Sequence, residues 1–163
     1  GTTDDFSGGA CAAELLKART RRRKGFAVLG GPADDPRSLQ RIAGFRAHAA
    51  DAQVINAETW FVEGGRERAH EILATNPAGI FACNDRLAEA LIEHCRIHGA
   101  PLPPLVGFDN APVAERLRLT TVGIPWNAMV EQAANVITAR LKGGHEPARF
   151  ISLAHEPIRR LTC

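Results

Sequence analysis

Short apolar runs of β character alternate along this chain with longer stretches of helical period, and no other feature constrains the fold as much. GFAVLGG (25–31) is closed by Gly30, Gly31 and Pro32. RSLQRIAGFRAHAA (37–50) then places Leu39, Ile42, Phe45 and Ala49 at helical spacing, with Asp34 or Asp35 ahead of Pro36 as its N-cap. AQVINAETWF (52–61) reads as strand and loop. After Gly64 and Gly65, RERAHEILATN puts Ala69, Ile72 and Leu73 on one helical face. GIFACND (79–85) reads as a buried strand, and RLAEALIEHCRIHG (86–99) as an amphipathic helix stopped by Gly99. PLVGFDN (104–110), VAERLRL and LTTVGI continue the alternation. A long helical pattern over 125–142, with Pro125 suited to its first turn, and an extended segment, FISLAHEPIRRL (150–161), complete it.

Strands that alternate with helices in this way predict βαβ units: an α/β fold with a parallel sheet and helices on both faces. Right-handed crossovers follow from strand twist. In such open sheets, ligands bind outside the carboxyl ends of the strands. Here those ends carry Gly31–Pro32, Trp60–Phe61, Asn84–Asp85 and Asp109–Asn110. A carboxylate beside an amide both accepts and donates hydrogen bonds, which suits a polyhydroxylated ligand. Trp60 or Phe61 offers an apolar face, and Arg41 a charge-assisted donor. The competing reading of each Asn or Asp is a simple cap on the following helix.

Composition excludes several classes. Twenty basic residues against eighteen acidic ones leave a net charge of +2, too balanced for a nucleic-acid-coating surface. RTRRRK (19–24) is strongly basic, but a solvated helix-to-strand connection explains it better than phosphate contacts. No apolar run reaches the roughly 18 residues of a membrane span, and the first residues do not read as a secretory signal. The chain is therefore expected in the cytoplasm, with no membrane partner. Cys11, Cys83, Cys95 and Cys163 show neither a CxxC pair nor a zinc rhythm and read as scattered thiols. His94 and His98 share a helical face without a third ligand, so no metal is expected. DFSGGAC lacks the pattern of a nucleophile elbow, and LGGPADD is no dinucleotide fingerprint. Asp4, Asp5, Asp34 and Asp35 read as loop caps. No catalytic set and no cofactor is expected, so the chain does not read as an enzyme.

RIAGF (41–45), GIFACND (79–85), VGFDN (106–110), LTTVGIPWNAMVEQA (119–133) and PIRRLTC (157–163) occur in that order. Together they resemble the effector-binding core of LacI/GalR-type transcriptional repressors. DDFSGGACAAELL (4–16) with LGGP (29–32) resembles the late part of that family's first subdomain. Two positions depart from the pattern: Arg22–Arg23 stands where Gly–His is usual, and Ile124 occupies a cleft position that is polar in several relatives.

The resemblance implies a periplasmic-binding-protein-like fold of two subdomains, with the effector in the cleft between them. It implies effector contacts from Arg41, Phe61, Asn84 and Asp109, and further cleft positions at Asp35, Trp60, Asp85 and Ile124. It also implies a homodimer whose interface includes Leu87, Leu91, Ala114 and Leu117. Residues 1–30 and 119–142 would be the remnant of the first subdomain, and residues 31–118 and 143–163 the second. The helix-turn-helix that contacts operator DNA would precede this stretch. The expected function is sensing of a small-molecule effector, a sugar above other classes, by a DNA-binding regulator. A solute-binding protein of a transport system is the alternative on the same fold, and an enzyme on a doubly wound sheet is a third reading.

Overall fold

The computed structural model describes residues 4–22, 24–144 and 153–163. The expected alternation is present, with one helix ahead of it. The order is α1 (Asp5–Arg19), β1 (Phe26–Gly30), α2 (Pro36–His48), β2 (Gln53–Asn56), α3 (Val62–Ala74), β3 (Gly79–Ala82), α4 (Asp85–His98), β4 (Leu105–Asp109), α5 (Pro112–Arg116), β5 (Thr120–Gly123), α6 (Trp126–Leu141) and β6 (Glu156–Ile158). The strands form one sheet in the order β2-β1-β3-β4-β5-β6. The first five are parallel, and β6 pairs antiparallel with β5.

Side chains alternate across the sheet and divide the core into two layers. Phe26 and Val28 of β1 face α1 and α2, where Leu16, Phe45, Phe81 and Phe108 gather. Ala27 and Leu29 face the opposite layer, with Ile72, Leu87, Leu91 and Ala114. In the first layer Phe45 stacks on Phe81 with ring centroids 5.2 Å apart, and Phe26 meets Phe45 edge-on at 6.2 Å. Helices thus cover both faces, as a parallel sheet requires.

Local signals set most boundaries. Asp35 caps α2 by accepting the Arg37 amide at 2.8 Å, with Pro36 in the first turn. Gly99 ends α4 in the left-handed region at φ 59°. α1 shows no apolar stripe because its buried face is built from Gly8, Gly9, Ala12 and Ala13 beside Leu15 and Leu16. Those small residues permit a close crossing. A Cβ on Gly9 would strike the Arg41 carbonyl, and one on Gly44 the Phe6 carbonyl. Within 52–61, expected as strand and loop, β2 takes Gln53–Asn56 and residues 57–61 are loop. Of the closing segment, residues 150–152 lie outside the described residues, as does Arg23; only Glu156–Ile158 form a strand.

Leu87, Leu91 and Ala114 are fully buried against the sheet, and Leu117 packs half-buried on the same layer. Their side chains, expected at an interface, fill this chain's own core. The division expected at residues 30 and 119 runs through a single sheet. β1 is an interior strand between β2 and β3, and β5 lies between β4 and β6. α1 contributes Ala12, Ala13 and Leu16 to the same core layer. α6 alone stands apart, with no buried residue, and exposes Trp126, Val130, Val136, Ile137 and Leu141.

Candidate functional site

The chain runs from β1 to β2 in one direction across the sheet and from β2 back to β3 in the other. Such a reversal opens a crevice at the carboxyl ends of the two central strands. Gly31, after β1, and Cys83, after β3, lie at the strand ends beside this crevice. Arg41 of α2 reaches into it and is only 6% exposed. Its Nε donates to Asp5 Oδ1 at 2.8 Å, and its Nη1 donates to the Cys83 carbonyl at 2.7 Å. Its Nη2 lies 3.6 Å from Asp109 Oδ1. The guanidinium also sits 3.8 Å from the Phe108 ring centroid and 5.5 Å from that of Trp60. A buried cation needs such partners, because an uncompensated charge inside a protein costs several kcal/mol.

Trp60 forms the wall. Its ring lies flat against Gly31, where a Cβ would come within 2.5 Å of ring carbons. Its Nε1 donates to Asp35 Oδ2 at 2.8 Å. Asp35 also takes two bonds from the Arg37 guanidinium, which together with the indole hold its carboxyl well below the usual carboxylate range. Asp109, at the end of β4, is the exposed acid of the group, its side chain 38% accessible. Burial raises its pKa, and the Arg41 charge opposes that rise. Among the described residues no hydrogen bond reaches its carboxylate, so its lone pairs remain for a ligand's hydroxyls.

The structure therefore brings Arg41, Asp109, Trp60 and Asp35 together and assigns other expected residues differently. Asn84 is the N-cap of α4: its Oδ1 accepts the Leu87 amide at 2.8 Å, and its Nδ2 donates to the Trp60 carbonyl at 2.9 Å. Both polar atoms are engaged with protein, so Asn84 fixes the wall's position. Asp85 is 1% exposed and bonded to Thr121 and Ala111, beneath the crevice rather than in it. Phe61 is 69% exposed, beyond Trp60, at the start of α3. Ile124 is half-buried just past β5.

Asp5 and His155 join the site without a signal in the sequence pattern. Asp5 is separated from Arg41 by 36 residues, and only the α1–α2 crossing brings them together. Asp4 beside it does cap α1, accepting the Ser7 amide at 3.1 Å. The ring of His155 packs 5.0 Å from that of Phe108, and the residue is only 8% exposed. Neither of its nitrogens has a partner among the described residues, and burial lowers its pKa. Away from the site, the described basic residues of the run, Arg19, Arg21, Arg22 and Lys24, are exposed. His94 and His98 stack at 4.2 Å. No group of three ligating side chains able to hold a metal occurs among the described residues.

Comparison with known proteins places this geometry. Residues 13–163 match the family described as the periplasmic binding protein-like domain. The chain belongs to that family. Its regulatory relatives are of the LacI type, and the domain resembles their effector-binding part. It is 36% identical over 169 residues to the HTH-type transcriptional regulator DegA of Bacillus subtilis, covering 96% of this chain and 50% of that protein. It is 28% identical to the HTH-type transcriptional repressor PurR of Vibrio cholerae, covering 95% of this chain and 49% of the repressor. The chain thus spans about half the length of the curated relatives it matches. Among solved structures, a LacI family regulator from Enterococcus faecalis with bound ribose superposes with a TM-score of 0.81 at 28% identity, over 98% of this chain and 61% of that one. A LacI regulator from a Rhodococcus species gives 0.79 at the same identity, over 98% and 62%. No helix among the described residues is long and apolar enough to cross a membrane.

Proposed function

We propose that this periplasmic binding protein-like domain is the effector-sensing part of a cytoplasmic LacI-type transcriptional regulator, without catalytic activity of its own. The effector class is a sugar or a similarly hydroxylated small molecule, held at the carboxyl ends of β1, β3 and β4. One observation carries the reading: the Arg41 guanidinium and the Asp109 carboxylate stand 3.6 Å apart at the crevice, with the Trp60 ring beside them. A sugar presents hydroxyls that donate to the acid and accept from the cation, and C–H faces that lie on an indole. The bound ribose in the Enterococcus faecalis neighbour supports the ligand class.

On this reading α6 belongs to a second lobe. Its exposed Trp126, Val130, Val136 and Ile137 need a partner surface. The boundary then falls near Pro125, with α1, β1 and β5 in the same lobe as β2–β4. Effector closes the two lobes and shifts the equilibrium between two arrangements of a homodimer, which changes operator affinity through an N-terminal helix-turn-helix. The test is calorimetry and thermal shift on the full-length protein with pentoses, hexoses and nucleobases. A sugar is expected to raise the melting temperature, and Asp109→Ala to abolish the shift. A nucleobase that binds equally well with or without Asp109 would overturn the reading.

A further inference from the structure

The turn between β4 and α5 holds Asp109 in a backbone shape its residues do not favour. Asp109 and Asn110 both have positive φ, 103° and 54°. Asn110 sits in the left-handed well that Asn tolerates, whereas Asp109 lies beyond that well and persists there only where its surroundings enforce it. Two neighbouring groups do so here. Asp85, buried at the start of α4, accepts the Ala111 amide at Oδ2 and the Thr121 hydroxyl at Oδ1, each at 2.7 Å. Gly107 leaves room for that carboxylate, because a Cβ there would strike Asp85 Oδ1. The Asn110 amide in turn donates to Thr121 Oγ1 at 3.4 Å.

Arg160 holds the other side. Its Nη2 donates to Asn110 Oδ1 and its Nη1 to the Leu119 carbonyl, both at 2.9 Å. Its own amide donates to Thr120 Oγ1 at 2.9 Å. The turn that presents Asp109 is therefore fastened to β5, which leads out to α6, and to the segment that follows β6. These are the stretches through which the chain leaves the sheet and returns.

We propose that Asp85 and Arg160 are positioning residues that clamp the β4–α5 turn, aim the Asp109 carboxylate at bound effector, and tie occupancy of the site to β5 and the returning C-terminal segment. Neither touches the effector. The proposal rests on the reading of Asp109 as an effector contact, and the experiment separates the two. Thr121→Val removes the hydroxyl from the clamp at nearly constant volume, and Thr121→Ser restores it. Asn110→Gly keeps the positive φ accessible and removes the acceptor for Arg160.

The full-length protein is titrated by calorimetry with D-ribose and D-glucose, and amide exchange is followed at Asn110 and Ala111. Thr121→Val and Asn110→Gly are expected to weaken sugar binding about tenfold and to speed exchange in the turn, with Thr121→Ser within about twofold of wild type. Asp85→Asn is expected to speed exchange of Ala111 likewise; should it fail to fold, the isosteric Thr121 pair carries the test. Wild-type affinity in folded Thr121→Val, or no rescue by Thr121→Ser, would overturn the clamp while leaving Asp109 as a contact. Unchanged affinity in Asp109→Ala, or no binding of either sugar by wild type, would overturn the effector reading and the positioning role with it.

Discussion

Sealing the Asp85 carboxyl beneath the sheet raises its pKa to about 6, against bonds from Thr121 and Ala111 that favour the ionised form. The folded chain therefore holds that proton more tightly than the unfolded chain, whose aspartate titrates near 3.8. Asp85 contributes stability that is fully present below pH 3.8 and lost as the pH rises through about 6, amounting to about 3 kcal/mol. Asp109 shifts in the same direction, whereas Asp4 and Asp35 shift in the opposite one. The difference between wild-type and Asp85→Asn unfolding free energies, measured in urea from pH 3 to 8, isolates the contribution. That difference is expected to move in the variant's favour between pH 4 and 7; a flat difference would contradict the burial argument. Asp5, the Cys83 carbonyl, Asp109 and two aromatic rings surround the buried Arg41 guanidinium.

At the scale of elements, the α1–α2 crossing decides whether the site exists, because it delivers Asp5 to Arg41. Gly9 and Gly44 set its closeness, each standing against a backbone carbonyl of the other helix. Gly44→Ala is expected to destabilise the chain by at least about 2 kcal/mol through forced separation, despite alanine's better helix propensity. Chemical denaturation measures the loss, and a neutral or stabilising result would show that the helices adapt at little cost. The same crossing explains why α1 escaped the periodicity reading. A helix that buries glycine and alanine shows no large apolar stripe, whereas α4, which buries Leu87, Leu91 and Cys95, does.

For the whole molecule, one layered sheet carries the polar group at its carboxyl edge while α6 extends from it without burying a side chain. Val136→Glu with Ile137→Glu is expected to leave the melting temperature of this chain within about 1 °C, since both side chains are exposed. In the full-length protein the same pair is expected to lower the melting temperature by several degrees, through charges forced into an apolar contact. An equal effect in both would place α6's partner surface within this chain. Much of this architecture was legible from period and punctuation. The β/α alternation, a cap from Asp34 or Asp35, the Gly99 stop and the strand-end positions of Trp60 and Asp109 all depend on neighbours in the chain or on a general rule for parallel sheets. Sequence by itself determined the fold class and that edge, because the spacing of apolar residues dictates which faces must be buried. Only the tertiary structure decided that Asp5 pairs with Arg41, that Asn84 bonds the Trp60 carbonyl and Asp85 bonds Thr121 and Ala111, that Leu87, Leu91 and Ala114 fill this chain's own core, and that β1 belongs to the same sheet as β4. Those outcomes are set by packing between elements tens of residues apart, where strand order and helix crossing choose the partners and no local pattern records the choice.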